Sequence, residues 1–198
     1  RTAHGTAGYH SGLPTGAWEH IVDKRLQQLL DKQDITDLIH AYCNAADRHD
    51  HKKLRTLYHE DATDDHGSFF SGPAMAFIDQ MPDIQAPMKI LHHNITTVNI
   101  AVDGDYAEGE VYVLAFYQVQ VDAGTADLLI GGRYLDRYEK RKDQWKFSHR
   151  TIVTDWARHV SPSEVSLDHP MVAGSHIGQP GPNDPSYGVF RLLQRGIH

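Results

Sequence analysis

Residues 91–121, LHHNITTVNIAVDGDYAEGEVYVLAFYQVQV, decide the architecture of this 198-residue chain. The segment up to Val102 is rich in β-branched side chains and stops at Asp103-Gly104-Asp105, a good hairpin turn. A second long strand follows, up to a loop around Asp122-Ala123-Gly124. LLIGGRYLDRYEKR (128–141) and QWKFSHRTIVTDWARHV (144–160) make two more strands, joined by a tight turn at Lys142-Asp143. The pattern predicts a four-strand antiparallel meander that can curl around one apolar hollow. Within it, Gly131-Gly132 marks a bend or a close backbone approach.

Upstream the periodicity changes from two to about 3.6. Trp18, Ile21, Val22, Arg25, Leu26, Leu29 and Leu30 recur at helical steps. A second helix is predicted from Asp34, with Ile35, Leu38, Ile39, Tyr42 and Ala46 as its apolar stripe. It should end at the polar cluster Asp47-Arg48-His49-Asp50. Leu54, Leu57 and Tyr58 suggest a short third helix, and Ser71-Gly72-Pro73 the entry to a fourth carrying Met75, Phe77, Ile78 and Met81. Helices first and a meander afterwards is an α+β arrangement, with the helices capping the hollow. Residues 1–17 are glycine-rich and read as an arm, 18–160 as the folded domain, and 161–198 as an extension holding five of the nine prolines. The extension also carries Val189, Phe190, Leu192 and Leu193, and is expected to wrap a neighbour or close the hollow.

Composition narrows the class. The chain is long enough for one substantial domain, and 40% apolar against 23% charged residues is ordinary for a globular protein. Twenty-six acidic and 19 basic side chains give a net charge of −7, which argues against a surface for nucleic acid. No apolar run approaches the ~20 residues of a membrane span. The chain begins at Arg1 without an apolar leader, so it reads as trimmed or processed, with the cytoplasm as its expected address. A single cysteine, Cys43, excludes an internal disulfide framework and any multi-cysteine metal site. On its helix it reads as a small buried hydrophobe rather than a nucleophile. Neither a Walker A loop nor a GxGxxG after a strand is present.

Fifteen histidines raise the question of metal. The densest clusters are His49-x-His51 with Asp47 and Asp50, Asp64-Asp65-His66, and His92-His93. HExxH is absent, and adjacent strand residues such as His92 and His93 point to opposite faces. No metal and no cofactor is expected. General acid–base chemistry fits better. Asp47 closes an amphipathic helix five residues after Tyr42, and His93 opens a strand with Ile95, Thr97 and Asn99 as its same-face partners. A histidine that takes up a proton needs a second group to fix its tautomer and stabilise the cation, and a carboxylate does both. Arg150, with Lys146, Ser148 and Ile152 on its face and Trp145, Phe147 and His149 opposite, would bring a fixed cation into an apolar hollow. The plain alternatives are a helix-end cap for Asp47 and an ion-pair partner for Arg150.

Residues 33 to about 156 resemble the nuclear transport factor 2-like superfamily, in particular its SnoaL-like branch. DITDLIHAYCNAADRHD, HHNITTVNIAVDGDYAEGE and GGRYLDRYEKRKDQWKFSHR carry the likeness. Scytalone dehydratase, bile-acid 7α-dehydratase and hexachlorocyclohexane dehydrochlorinase lie in that neighbourhood. The resemblance implies a cone-shaped α+β barrel, with helices packed on a curved, mostly antiparallel sheet enclosing a pocket. It also implies an aspartate–histidine pair, falling on Asp47 and His93, with a tyrosine at Tyr42 and an arginine at Arg150. Tyr134 matches a pocket-lining aromatic of the dehydrochlorinase. A second catalytic histidine of the scytalone dehydratase kind has no counterpart.

The expected activity is a cofactor-independent lyase that eliminates water, halide or formaldehyde from a hydrophobic ring-bearing molecule. His93 would be the base, Asp47 its orienting partner, Tyr42 a hydrogen-bond or proton donor, and Arg150 the stabiliser of developing negative charge. Phe69, Phe70, Met88, Tyr112, Phe116 and Tyr134 are the candidate wall residues. The alternatives are a binding module or small subunit of an aromatic-ring hydroxylase, or a polyketide cyclase or isomerase. Homo-oligomerisation is expected, a trimer ahead of a dimer, with Phe190, Leu192 and Leu193 packing on a neighbour.

Overall fold

The computed structural model describes residues 15–122, 124–160, 170, 172, 174–190, 192, 193 and 196. Most of the expected arm, residues 1–14, lies outside them. The chain runs α1 (Thr15–Asp47), α2 (His51–Leu57), β1 (Tyr58–Asp65), β2 (Ser71–Pro73), α3 (Ala74–Gln85), β3 (Met88–Asp103), β4 (Tyr106–Val121), β5 (Gly124–Arg141) and β6 (Gln144–Val160). A 3-10 turn (Gly181–Asn183) and the one-turn α4 (Ser186–Val189) follow in the extension.

The two helices expected before residue 48 are one. No glycine or proline stands between Trp18 and Asp47, so nothing breaks the backbone hydrogen-bond ladder at Asp34. Ile35 and Ile39 are fully buried against the sheet, each worth roughly 1.5–3 kcal/mol of apolar transfer. Leu26, Leu29 and Leu30 remain exposed. The helix stops in a Schellman motif. His49 takes a left-handed φ of 54°, its N–H donates to Ala46 O, and the Asp50 N–H donates to Ala45 O. Asp50 then caps α2 by accepting from the Lys53 N–H at 2.9 Å.

The sheet has six strands in the order β2-β1-β6-β5-β4-β3 and is not closed. The expected meander is its β3–β6 portion. Two elements differ from expectation. Tyr58 opens β1 rather than ending a helix, and Ser71-Gly72-Pro73 is the short strand β2, so α3 starts one residue later. β1 runs parallel to β6, which makes the sheet mixed, although every other pairing is antiparallel. The turn at Lys142-Asp143 has positive φ at both residues, the geometry that matches strand twist in a two-residue hairpin.

Three bulges shape the wall that faces the helices. One lies between Ile95 and Val98, one opposite Gly131-Gly132, and one at Ser148. At the second, a Cβ on Gly131 would fall 2.3 Å from the Trp156 ring, and one on Gly132 2.3 Å from Val153 O. α1 lies against β3 and β6, and α3 against β1. Asp31 anchors α1 by accepting from Trp145 Nε1 and Lys140 Nζ, both at 2.9 Å. Gln85 ties α3 to the end of α1. Its amide donates to Ala46 O at 3.1 Å and its carbonyl accepts from His51 Nε2 at 2.7 Å.

Candidate active site

The Schellman turn fixes Asp47 as the last helical residue of α1, and the first residues of β3 pass beside it. A carboxylate has the wrong sign for a helix C-terminus; here β3 supplies its partners. The His93 backbone N–H donates to both Asp47 oxygens, at 3.2 and 3.1 Å, and the ring Nδ1 lies 2.5 Å from Oδ1. Both side chains are largely buried, 7% and 9% exposed. A carboxylate only accepts, so Nδ1 carries the ring proton and Nε2 presents its lone pair. That lone pair accepts from the Tyr117 hydroxyl at 3.1 Å, with the two rings edge to face.

Tyr117 is the residue that sequence reasoning missed. Burial, then the neighbouring Asp47 charge, pushes its phenol up to about 12, so it stays a donor at neutral pH. It sits on β4 opposite Leu91, one inward position along from Ala115, the register partner of His93.

Arg150 forms the other end of the site. Its side chain has no exposed surface and makes a bidentate pair with Asp136, 2.7 Å for each bond. Its guanidinium carbon lies 4.0 Å from the centroid of Tyr42, 4.1 Å from Tyr134 and 4.3 Å from Phe147. Burial opposes the charge, yet Asp136 holds the guanidinium well above its ordinary range. Arg150 shares the inner face with Trp145 and Phe147 rather than opposing them, because the bulge at Ser148 shifts alternation by one. Burial drives the Tyr42 phenol upward against the pull of Arg150, leaving it a neutral donor. Between the two ends sits Cys43, 6% exposed, whose thiol burial pushes up to about 12. It is no nucleophile at neutral pH.

The wall residues divide. Tyr134 is buried on the inner face, and Phe70 packs on Phe77 with ring centroids 5.0 Å apart. Met88 is half-buried at the start of β3. Phe69, Tyr112 and Phe116 lie off the inner face, contrary to expectation. Phe69 is 65% exposed in the turn before β2. Tyr112 is 42% exposed on the outer face under Arg133, and Phe116 lies on that same face opposite His92. Thr97 and Asn99 also leave the His93 face, because the bulge before Val98 reverses the alternation. The inner residues of β3 are instead Leu91, His93, Ile95, Val98 and Ile100.

The His49-x-His51 cluster has structural partners. His51 holds Gln85, His49 stacks on His51, and Asp50 is a cap. Among the described residues no three His, Cys, Asp or Glu side chains are grouped as a metal site. The extension docks on its own chain beside Asp47. Asp184 accepts from Arg48 Nη1 at 3.2 Å, and the Gly181 N–H donates to Arg48 O at 2.6 Å. His176, Ile177 and Pro180 thereby wall a groove of about 410 Å³ that reaches Asp47, with Lys89–His92 and Phe116 opposite.

A long helix laid across a bulged meander is the arrangement found here, and it is matched by the SnoaL-like domain family. Residues 27–151 match that family, and the chain belongs to it, within the nuclear transport factor 2-like superfamily. Solved structures of similar fold include a type 2 hexachlorocyclohexane dehydrochlorinase, LinA, at 21% identity over 72% of this chain and 97% of that one, with a TM-score of 0.65. A candidate scytalone dehydratase from Novosphingobium aromaticivorans is 21% identical over 70% and 97%, with a TM-score of 0.60. A candidate aromatic ring hydroxylase from the same organism is 23% identical over 71% and 96%, also at 0.60. At these identities the likeness shows the fold alone. No protein of curated function matches the chain. No described helix is long and apolar enough to cross a membrane.

Proposed function

We propose that the protein is a cofactor-independent lyase acting on a hydrophobic, ring-bearing small molecule, with residues 18–160 as the catalytic unit. The observation that carries this reading is the largely buried Asp47–His93 pair, with Nε2 turned to the inner face. A binding module has no use for such a pair, whose burial costs free energy. In the reaction, His93 Nε2 takes a proton from the carbon next to the leaving group. The C–H electron pair becomes the new double bond, and the leaving group departs with its own bonding pair. Asp47 stabilises the imidazolium, as it already holds the Nδ1 proton. Tyr42 donates to the departing or substrate oxygen, and Arg150 offsets the charge that develops there. For release of formaldehyde the same base takes a hydroxyl proton instead. The O–H pair becomes the C=O of formaldehyde, and the C–C pair becomes the new double bond as a leaving group on the next carbon departs with its own bonding pair. The dehydrochlorinase and dehydratase names among the fold relatives support elimination as the reaction class.

The test is turnover on ring compounds carrying vicinal hydroxyl or halide groups, followed by chromatography and mass spectrometry. His93→Ala and Asp47→Asn should each lower the rate by about 10²–10⁴-fold in folded protein. Exhaustive chelation should leave the rate unchanged. Near-normal rates in either variant reject the mechanism. Turnover that appears only with an added iron-containing large subunit selects the hydroxylase-subunit reading. Leu26, Leu29, Leu30, Leu192 and Leu193 are all at least half exposed in the single chain, which supports a homo-oligomer, a trimer ahead of a dimer. A monomer in sedimentation at micromolar concentration removes that part.

A further inference from the structure

Beside Arg150 lie two polar side chains, Asp64 and His66, that take no part in the chemistry above. Asp64 on β1 and Arg150 on β6 are register partners in the parallel pair, so their side chains project from the same face. Asp64 is 1% exposed. One of its oxygens accepts from the Tyr58 hydroxyl at 2.9 Å. Its other oxygen, Oδ1, lies 2.9 Å from His66 Nε2 but off the angle of a hydrogen bond. Arg150 spends Nε and one terminal nitrogen on Asp136, while Nη1 is buried. Asp64 Oδ1, His66 Nε2 and Arg150 Nη1 are therefore three buried polar atoms without a hydrogen-bond partner among the described residues. Such atoms are costly, and each calls for an explanation. Arg150, on the strand position that pairs with Asp64, holds its guanidinium carbon 4.0 Å from the centroid of the Tyr42 ring. The His66 ring is fixed by stacking on Phe77, 4.2 Å between centroids.

We infer that Arg150, Asp64 and His66 form a subsite for an uncharged hydroxyl group on the substrate ring. A hydroxyl satisfies this set: its oxygen has two lone pairs to accept from Arg150 Nη1 and the His66 Nε2–H, while its hydrogen is donated to Asp64 Oδ1. A carboxylate would meet the buried Asp64 charge, and a halocarbon or hydrocarbon edge would leave all three atoms unpaired. Tyr42 stands five residues before Asp47, about 7.5 Å along α1. An aromatic ring with its hydroxyl spans a similar length, so a phenol anchored at Arg150 presents its far side chain to His93. The inference rests on the lyase reading only for that last step; the binding preference stands without it.

The test is calorimetric titration of 4-propylphenol, its methyl ether and 4-propylbenzoate into the full chain and into its His93→Ala variant. The phenol should bind at least tenfold tighter than either analogue in both proteins. Asp64→Asn should reduce the preference over the ether to below threefold. His66→Phe, which keeps the ring stack on Phe77, should cut it at least threefold without weakening the ether. Equal affinities, tighter binding of the benzoate, no measurable binding of the phenol at millimolar concentration, or a preference untouched by both substitutions would overturn the subsite. Phenol preference without turnover of any compound leaves the subsite standing and removes the lyase. Turnover without that preference does the reverse.

Discussion

Arg150 and Asp136 face each other across β5 and β6 in a two-bond ion pair with no solvent-exposed side-chain surface, and the Tyr138 hydroxyl donates to Asp136 at 2.8 Å. Breaking one side of a buried pair leaves the other charge without compensation. Asp136→Asn should therefore destabilise the fold by about 3–5 kcal/mol and lower Tm by on the order of 10 °C. Thermal unfolding followed by circular dichroism reads this directly; a change under 2 °C (about 1 kcal/mol or less) would mean the pair contributes little.

Tyr117→Phe keeps the ring packed on His93 but removes the hydroxyl at Nε2. We expect kcat to fall about 10-fold with KM little changed, less than the roughly 10²–10⁴-fold of a full acid or base because this hydroxyl only orients Nε2. An unchanged or higher kcat would show that the hydroxyl only masks the base.

Cys43 should resist alkylation. With its thiol at about 12, roughly one molecule in 10⁴ is thiolate at pH 8. Iodoacetamide should label the unfolded chain and spare the folded one, as read by mass spectrometry. Cys43→Ala should retain turnover within about threefold; a nucleophilic cysteine would lose it outright.

Asp31 sets part of the acid limit of stability. Burial raises its carboxyl, but the bonds from Trp145, Lys140 and Gln27 outweigh that and hold it below its ordinary value. A depressed folded pKa contributes stability that is present above the unfolded value of about 3.9 and is lost as pH falls through the folded one. Urea midpoints should therefore drop below pH about 4. Asp31→Asn should flatten that limb; an unaltered limb would assign the acid loss to other carboxylates.

Much of the fold was legible because its signals are local. Helical spacing marked α1, and the Asp103-Gly104-Asp105 and Lys142-Asp143 turns marked the hairpins. The break expected at Asp34 and the helix expected through Tyr58 failed where no local residue decides. β1 is held by its neighbour β6, 86 to 89 positions further on, as the Tyr58–Phe147 and Thr63–His149 partners show. The errors of strand face, at Tyr112 and Phe116, share one cause. Strict alternation from the turn sets Asp103 opposite Tyr106 and carries Phe116 opposite His93. It also places Tyr112 opposite Thr97. One extra residue between Ile95 and Val98 shifts the pairing, so His93 meets Ala115 and Tyr117 takes the inward place. The bulge at Ser148 moves Arg150 onto the face of Phe147 in the same way. Bulges leave no residue-type signature as strong as a glycine turn, so the faces beyond them could not be read.

The kink before Val98 also marks where this strand holds a residue it can spare. A single codon deleted from the Thr96-Thr97 step would restore unbroken pleating and leave His93 opposite Ala115 and Leu91 opposite Tyr117. Imidazole and phenol would keep their inward places, so a descendant could shed the crease without surrendering its proton acceptor.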